Sequence, residues 1–317
     1  MIVQPDGEGV GRAVAQLRAG RLVAFPTETV YGLGADALRP EAVEGVFSAK
    51  GRPAGNPLIV HVDGAAMAER VADWTEAARR LAARFWPGPL TLVLPATAIV
   101  PAQVIAGGDT VAVRAPDHPV ALELIGAFGG PLVAPSANRS GAVSPTTAAH
   151  VEAAFPEILV LDGGPCRAGL ESTVLDLTGP PAILRPGPIG PAAIAAELGV
   201  TVAVGAGAAG VARSPGLLGR HYAPARPVRL LGAGEVAAPP AGVAWLALDR
   251  PPGAGVIAMP PDGAAYAARL YAALREADAS GAGEIWIDLP GPDRLGGPEG
   301  DLWAAIVDRL TRAAASP

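Results

Sequence analysis

Cysteine is nearly missing from this 317-residue chain: Cys166 stands alone, so no disulfide can form within it. Aromatic residues are scarce as well, at 4 %. That argues against a reader of single-stranded nucleic acid, which stacks bases on aromatic rings. Positive charge is in deficit, since 24 Lys and Arg against 30 Asp and Glu leave a formal charge of −6. Proteins that grip RNA through its phosphates are normally basic, so no stable nucleic-acid binding is expected. No apolar run is long enough to span a bilayer, and Met1-Ile2-Val3-Gln4-Pro5-Asp6 lacks the pattern of a secretion signal. A cytoplasmic enzyme that does not engage a membrane is the expectation. His61, His118, His150 and His221 show no metal-ligand spacing among themselves or with Cys166, so no protein-built metal site is expected. No G-x-x-x-x-G-K-[ST] loop and no G-x-S-x-G elbow occurs. Those absences exclude a P-loop nucleotide site and give no support to covalent catalysis.

Glycine and proline, by contrast, are plentiful, at 41 and 34 residues. They punctuate apolar runs instead of forming low-complexity tracts, and half of the residues are apolar. This is a loop-rich folded protein, long enough for two domains. Short apolar runs at Leu22–Phe25, Leu58–Val62, Thr91–Leu94, Thr110–Arg114, Leu132–Ala134, Ile158–Leu161, Thr173–Leu177 and Ala182–Leu184 predict strands. Helices are predicted over Pro40–Ala49, Glu76–Phe85, Pro119–Ala127, Thr146–Ala154 and Pro191–Leu198. Many strands with fewer helices imply an α/β fold with a large mixed β-sheet and flanking helices, over residues 1–200. Residues 201–227 have linker composition, yet their His221, Tyr222 and arginines are odd for a passive spacer. From 228 to 317 a small C-terminal α/β domain is expected. Its strands are Val243–Leu248 and Glu284–Leu289, and its helices are Ala264–Ala277 and Asp301–Ala313.

The chemistry-bearing residues gather where strands end. Lys50-Gly51-Arg52-Pro53-Ala54-Gly55-Asn56-Pro57 precedes the second strand. Its two cations offer charge-assisted donors to a phosphate, from a loop expected to stay out of the core. Pro26–Gly34 places Thr27, Glu28, Thr29 and Tyr31 after the first strand, where ligands sit in open α/β sheets. Arg114 closes a strand and can fork a carboxylate or phosphate; the plain alternative is a surface pair with Asp117 or Glu123. Pro135-Ser136-Ala137-Asn138 and Ser144-Pro145-Thr146 supply small donors, with Ser144 expected to cap a helix. Glu171-Ser172-Thr173 and Leu184-Arg185-Pro186-Gly187 repeat the pattern. Gly32–Ala37 and Gly205–Gly210 imitate dinucleotide fingerprints, but neither has the strand, helix and acidic residue that such a site needs.

Taken in order, Pro26–Gly34, Lys50–Val62, Trp86–Thr91, Val113-Arg114, Pro135–Asn138, Glu171–Val174 and Leu184–Gly187 resemble the YrdC-like threonylcarbamoyl-adenylate synthase family. Ser214-Pro215-Gly216 and Arg220-His221-Tyr222-Ala223-Pro224, followed by a small α/β unit, are similar to its long two-domain members. The resemblance covers essentially the whole chain. It implies a nucleotidyltransferase that makes threonylcarbamoyl-AMP and pyrophosphate from L-threonine, bicarbonate and ATP. Magnesium would travel with the ATP, without a dedicated protein site. The product would pass to a tRNA threonylcarbamoyl-transferase. By the same resemblance Thr29, His61, Arg114, Ala134, Ser172 and Thr173 should surround threonine. Arg52, Asn56, Thr110, Ser136, Ser144, Arg185 and Tyr222 should line the nucleotide, with Lys50 and Arg52 acting on the phosphates. The segment carrying Tyr222 should close over the site. A non-catalytic RNA binder using the Lys50 and Arg52 patch is the rival from another class, and charge and aromatic content oppose it.

Overall fold

The computed structural model describes residues 1–205, 221–232, 235 and 238–315. The motifs from Ala206 to Arg220, including Ser214-Pro215-Gly216 and most of Gly205–Gly210, lie outside the described residues.

The chain opens with β1 (Ile2–Val3), α1 (Gly7–Arg18), β2 (Val23–Phe25), β3 (Gly32–Asp36), α2 (Pro40–Lys50) and β4 (Ile59–His61). Then come α3 (Ala65–Val71), α4 (Glu76–Phe85), β5 (Leu90–Pro95), β6 (Thr110–Arg114), α5 (Pro119–Phe128) and β7 (Leu132–Val133). The first unit ends with α6 (Ala148–Ala154), β8 (Leu159–Leu161), β9 (Thr173–Asp176), β10 (Ala182–Arg185), α7 (Pro191–Leu198) and β11 (Ala203–Val204). The second comprises β12 (Val228–Leu231), β13 (Val243–Leu248), β14 (Val256–Met259), α8 (Gly263–Ala279), β15 (Glu284–Asp288), α9 (Pro292–Leu295) and α10 (Gly300–Ala314).

Among the described residues the first eleven strands form one mixed sheet, ordered β1-β8-β2-β3-β7-β4-β6-β5-β9-β10-β11. The last four make a separate parallel sheet, β12-β15-β13-β14. The expected architecture is therefore present. Local chemistry explains the helices. In α4, Ala78, Leu81 and Ala82 are buried while its arginines face out, and the Thr75 hydroxyl accepts from the Ala78 amide to cap it. Proline begins α2, α5 and α7, where its missing N–H costs nothing.

Two expectations need correction. Lys50 is the last residue of α2, and Gly51 ends the helix in the left-handed region at φ 61°. The loop that follows is not excluded from the interior either: Lys50, Arg52 and Asn56 are all buried. The proline- and glycine-rich turn folds its cations inward because backbone carbonyls are there to receive them. Ser144, expected as a helix cap, is not one. Thr147 caps α6 by accepting from the His150 amide, and Ser144 turns to Glu171.

The two units share apolar packing. Val30, Val143, Leu170 and Tyr222 belong to the same buried cluster as Leu270, Tyr271, Ile306 and Leu310. No helix among the described residues is long and apolar enough to cross a membrane.

Candidate active site

Strand register assembles the site. His61 and Arg114 are paired residues at the ends of the parallel neighbours β4 and β6. Leu132 of β7 pairs with His61 from the other side, and because the two strands are antiparallel the chain beyond β7 runs back past Ile59. There the Ala134 amide donates to the Ile59 carbonyl, and Ser136 bridges to Gly32 at the start of β3. Across the sheet, Leu90 of β5 pairs with Thr173 of β9, and Arg185 of β10 pairs with Val174. These strand ends surround one cavity, with about 590 Å³ of space not filled by atoms, part of it open to solvent.

Of the residues singled out from sequence, Thr29, Arg52, His61, Arg114, Ala134, Ser136, Ser172, Arg185 and Tyr222 lie in the wall. Arg114 is the most constrained. Its Nε donates to the Gly88 carbonyl at 3.1 Å and its Nη1 to the Thr29 hydroxyl at 2.9 Å. Its Nη2 lies 2.5 Å from Glu28 Oε2, and both side chains are buried. Neither Asp117 nor Glu123 is its partner; Asp117 pairs with Arg167. The Glu28–Arg114 contact is close without hydrogen-bond geometry. Among the described residues, Arg114 Nη2 and both Glu28 oxygens have no hydrogen-bond partner. Buried polar atoms in that condition are open to a ligand.

His61 sits beside that guanidinium. Burial, and then the Arg114 charge, lower its pKa to about 3, so the imidazole is neutral at ordinary pH. Its Nδ1 is 3.3 Å from the Ile59 carbonyl. His221 is also neutral, lowered to about 4 mainly by burial.

The opposite wall is cationic. Arg52 donates from Nε to the Asn56 carbonyl and from Nη2 to the Pro57 carbonyl, at 3.1 and 2.8 Å. Burial, then the neighbouring Arg185, bring its pKa down to about 10, which leaves it charged. Arg185 donates from Nε and Nη2 to the Ser172 carbonyl and from Nη2 to the Ser172 hydroxyl. Ser172 Oγ is also 2.7 Å from Thr91 Oγ1. The 171–173 and 185–187 segments pack tightly. A Cβ on Gly187 would stand 2.4 Å from the Thr173 nitrogen, so only glycine fits there. Tyr222, at φ 60°, is buried beside them, and its hydroxyl has no partner among the described residues.

Five of the expected residues are not in the wall. Lys50 points its ammonium at the Ser136 and Asn138 carbonyls, at 2.5 and 2.6 Å. It braces the loop that presents Ser136 instead of facing the cavity. Burial, and then Arg52, hold its pKa well below the usual lysine value. Asn56 enters only through its backbone, as an acceptor for Arg52. Thr110 starts β6 opposite Pro95, at the far end from Arg114. Ser144 donates to Glu171 Oε1 at 2.7 Å, and Thr173 donates to the Ile189 carbonyl at 2.8 Å.

Sequence reasoning assigned no substrate to Thr27, Glu171 and His221, which line the cavity, or to Glu28, which holds Arg114. Thr27, Glu28 and Glu171 stood inside motifs already noticed. A carboxylate next to a strand end carries no local sign of which distant arginine it meets. Among the described residues no group of three or more His, Cys, Asp or Glu side chains could hold a metal ion.

Comparison with known proteins is consistent over the whole length. The Sua5–YciO–YrdC family model, described as telomere recombination, matches residues 15–187. A second model, threonylcarbamoyl-AMP synthase C-terminal domain, matches 189–315. A threonylcarbamoyl-AMP synthase of Pyrococcus abyssi is 50 % identical over 223 residues, which is 68 % of this chain and 66 % of that protein. One from Bacillus subtilis is 46 % identical over 230 residues, 70 % of this chain and 66 % of its own. The aligned stretch thus spans just under two thirds of each of these relatives. The crystal structure of P. abyssi Sua5 complexed with L-threonine superposes with a TM-score of 0.87 at 38 % identity, covering 99 % of this chain and 97 % of that one.

Proposed function

The chain belongs to the Sua5–YciO–YrdC family, and from that membership and the cavity's geometry we propose that it is an L-threonylcarbamoyladenylate synthase. In this reading threonine's amine and bicarbonate condense to a carbamate with release of water. A carbamate oxygen attacks the α-phosphorus of ATP, pyrophosphate leaves, and threonylcarbamoyl-AMP remains for threonylcarbamoyl-adenosine formation in tRNA. The observation that carries the reading is the convergence of three buried guanidiniums, Arg52, Arg114 and Arg185, with neutral His61 on one cavity.

The residues divide between two substrates. Arg114, oriented by Glu28, Thr29 and the Gly88 carbonyl, forks the threonine carboxylate. Uncharged His61 packs beside it without repelling the amine, while Ser172 and the Ala134 backbone close that end. Arg52, Arg185, Ser136 and Tyr222 form the nucleotide end. Phosphoryl transfer asks mainly for in-line positioning and neutralised charge, which two fixed guanidiniums provide. Magnesium arrives on the triphosphate as part of that substrate. The product is a mixed anhydride that water destroys, so a wall closed by His221 and Tyr222 has a chemical purpose. Nothing in this chemistry requires a stable grip on tRNA, and the product would pass to a separate transferase.

Mass spectrometry of the protein incubated with ATP, threonine and bicarbonate, each omitted in turn, tests the reading. Threonylcarbamoyl-AMP should form only in the full mixture. Arg52→Ala should cut pyrophosphate release by about 100-fold or more while the fold persists. Product that forms without threonine, or none at all, ends the proposal.

A further inference from the structure

The second domain enters the site through Arg309. This side chain of α10 is fully buried. Its Nε donates to Glu171 Oε2 at 2.9 Å and its Nη2 to the Pro186 carbonyl at 2.8 Å. Glu171 immediately precedes Ser172, and Pro186 immediately follows Arg185. One guanidinium therefore clips together the two segments whose contact holds Arg185 in the cavity wall. The fork geometry suits this task, because two acceptors on different segments are met by one rigid plane.

Tyr271 of α8 completes the arrangement. Its hydroxyl donates to Glu171 Oε2 at 2.8 Å, and its ring stacks on Tyr222 with centroids 5.7 Å apart. Arg309 lies over the other aromatic partner of that stack, 5.3 Å from the Tyr222 centroid. Ser144 of the first domain supplies the remaining bond to the Glu171 carboxylate. Burial by itself would favour the neutral acid; Arg309 and then Arg185 hold Glu171 below its ordinary pKa, as an anion. Its charge is thus fixed from both domains. The family models divide the chain at 187–189, yet the two hydrogen-bond acceptors that Arg309 finds outside α10, Glu171 and the Pro186 carbonyl, both lie before that division.

We propose that Arg309, with Tyr271, is a positioning residue for the nucleotide end of the site: it sets the placement of Arg185 through Glu171 and Pro186, and of Tyr222 through its ring. The C-terminal domain is on this account a structural part of the catalytic unit. The inference rests on the proposed reaction only in naming ATP as the ligand of that end.

The test uses the full chain and measures ATP and threonine binding separately, alongside pyrophosphate release and thermal stability. Arg309→Lys keeps a buried cation but loses the fork. It should weaken ATP binding by about tenfold, equivalent to about 1.4 kcal/mol, and leave threonine binding within about twofold. Tyr271→Phe keeps the ring stack and loses one hydrogen bond, so about a threefold loss for ATP alone is expected. Arg269→Ala, which removes an exposed pair with Glu276 on α8, should change neither constant. If Arg309→Lys weakens both ligands in parallel, or only lowers stability, Arg309 is a structural residue and the proposal is overturned. Unchanged ATP binding in both folded variants overturns it too. A wild-type protein that binds ATP but makes no threonylcarbamoyl-AMP would sink the proposed reaction, and selective loss in Arg309→Lys would still uphold this inference.

Discussion

Glu28 and Arg114 meet at 2.5 Å with both side chains buried, and the same arginine is tied to Thr29 and Gly88. A buried pair of this kind adds little net stability over an apolar replacement, but removing one member strands the other charge. Glu28→Gln and Arg114→Met should each lower unfolding free energy by about 3 kcal/mol. The double variant Glu28→Gln/Arg114→Met should lose much less than the sum. A denaturation cycle on the four proteins measures this coupling, and additive losses would contradict it.

The pair also predicts a split in substrate use. Arg114→Ala should raise the threonine requirement steeply while ATP binding stays nearly unchanged, because on the proposed reading Arg52 and Arg185, not Arg114, meet the nucleotide. Separate titrations of the two ligands decide it. Equal loss of both would move Arg114 out of the threonine role.

Gly187 offers a cleaner backbone experiment. Its place against Thr173, Ser172 and Glu171 leaves no room for a methyl group, and the opposing atoms are backbone. Gly187→Ala should therefore cost about 1–3 kcal/mol and push the Arg185 segment off Ser172. ATP binding should fall with it. A variant of wild-type stability and affinity would mean the two segments can part without consequence.

Regular elements were legible where apolar period and terminal residues agreed. Glu76–Phe85, Thr110–Arg114, Pro191–Leu198 and Val243–Leu248 begin and end where the pattern places them. The helix α1 was missed although Val10, Ala13, Val14 and Leu17 follow helical spacing, because its three glycines argue locally against a helix. β3 carries no strand signal of its own, since Gly32 and Gly34 make poor strand residues; packing against β2 and β7 overrides that preference. In the site, residues at strand ends were recoverable, because ligands collect there. Lys50 was not: its partners are carbonyls some 86 positions away, and carbonyls leave no mark in a sequence. Arg309 was hidden for a similar reason, on a helix whose apolar neighbours disguise it as surface.

Lys50 itself yields a prediction that separates bracing from chemistry. Lys50→Met keeps the length of the side chain but leaves the Ser136 and Asn138 carbonyls buried without their donor. Stability should drop by about 2 kcal/mol, and substrate affinity should decline through the Ser136 loop. Urea titration with parallel activity assays gives the answer. A fully stable protein that has lost only turnover would put the ammonium on the phosphates after all.

Acid sensitivity follows from the histidines. Burial lowers His61 to about 3 and both His150 and His221 to about 4, against an ordinary value near 6.5. Because the folded values are depressed, the unfolded chain binds more protons than the native protein between about pH 6.5 and those lower values. The stabilisation is complete above about pH 6.5 and is lost progressively as pH falls through that window. His61 has the lowest value, so its contribution extends to lower pH than that of His150 or His221. His61→Gln cannot take up a proton and should flatten the slope of stability between pH 6 and 4, whatever it does to stability at neutral pH. Chemical denaturation at three pH values, on wild type and variant, checks the sign. A wild-type protein equally stable at pH 7 and pH 4.5, or a variant with an unchanged slope, would show that these imidazoles gain protons in the native state as readily as in the unfolded one.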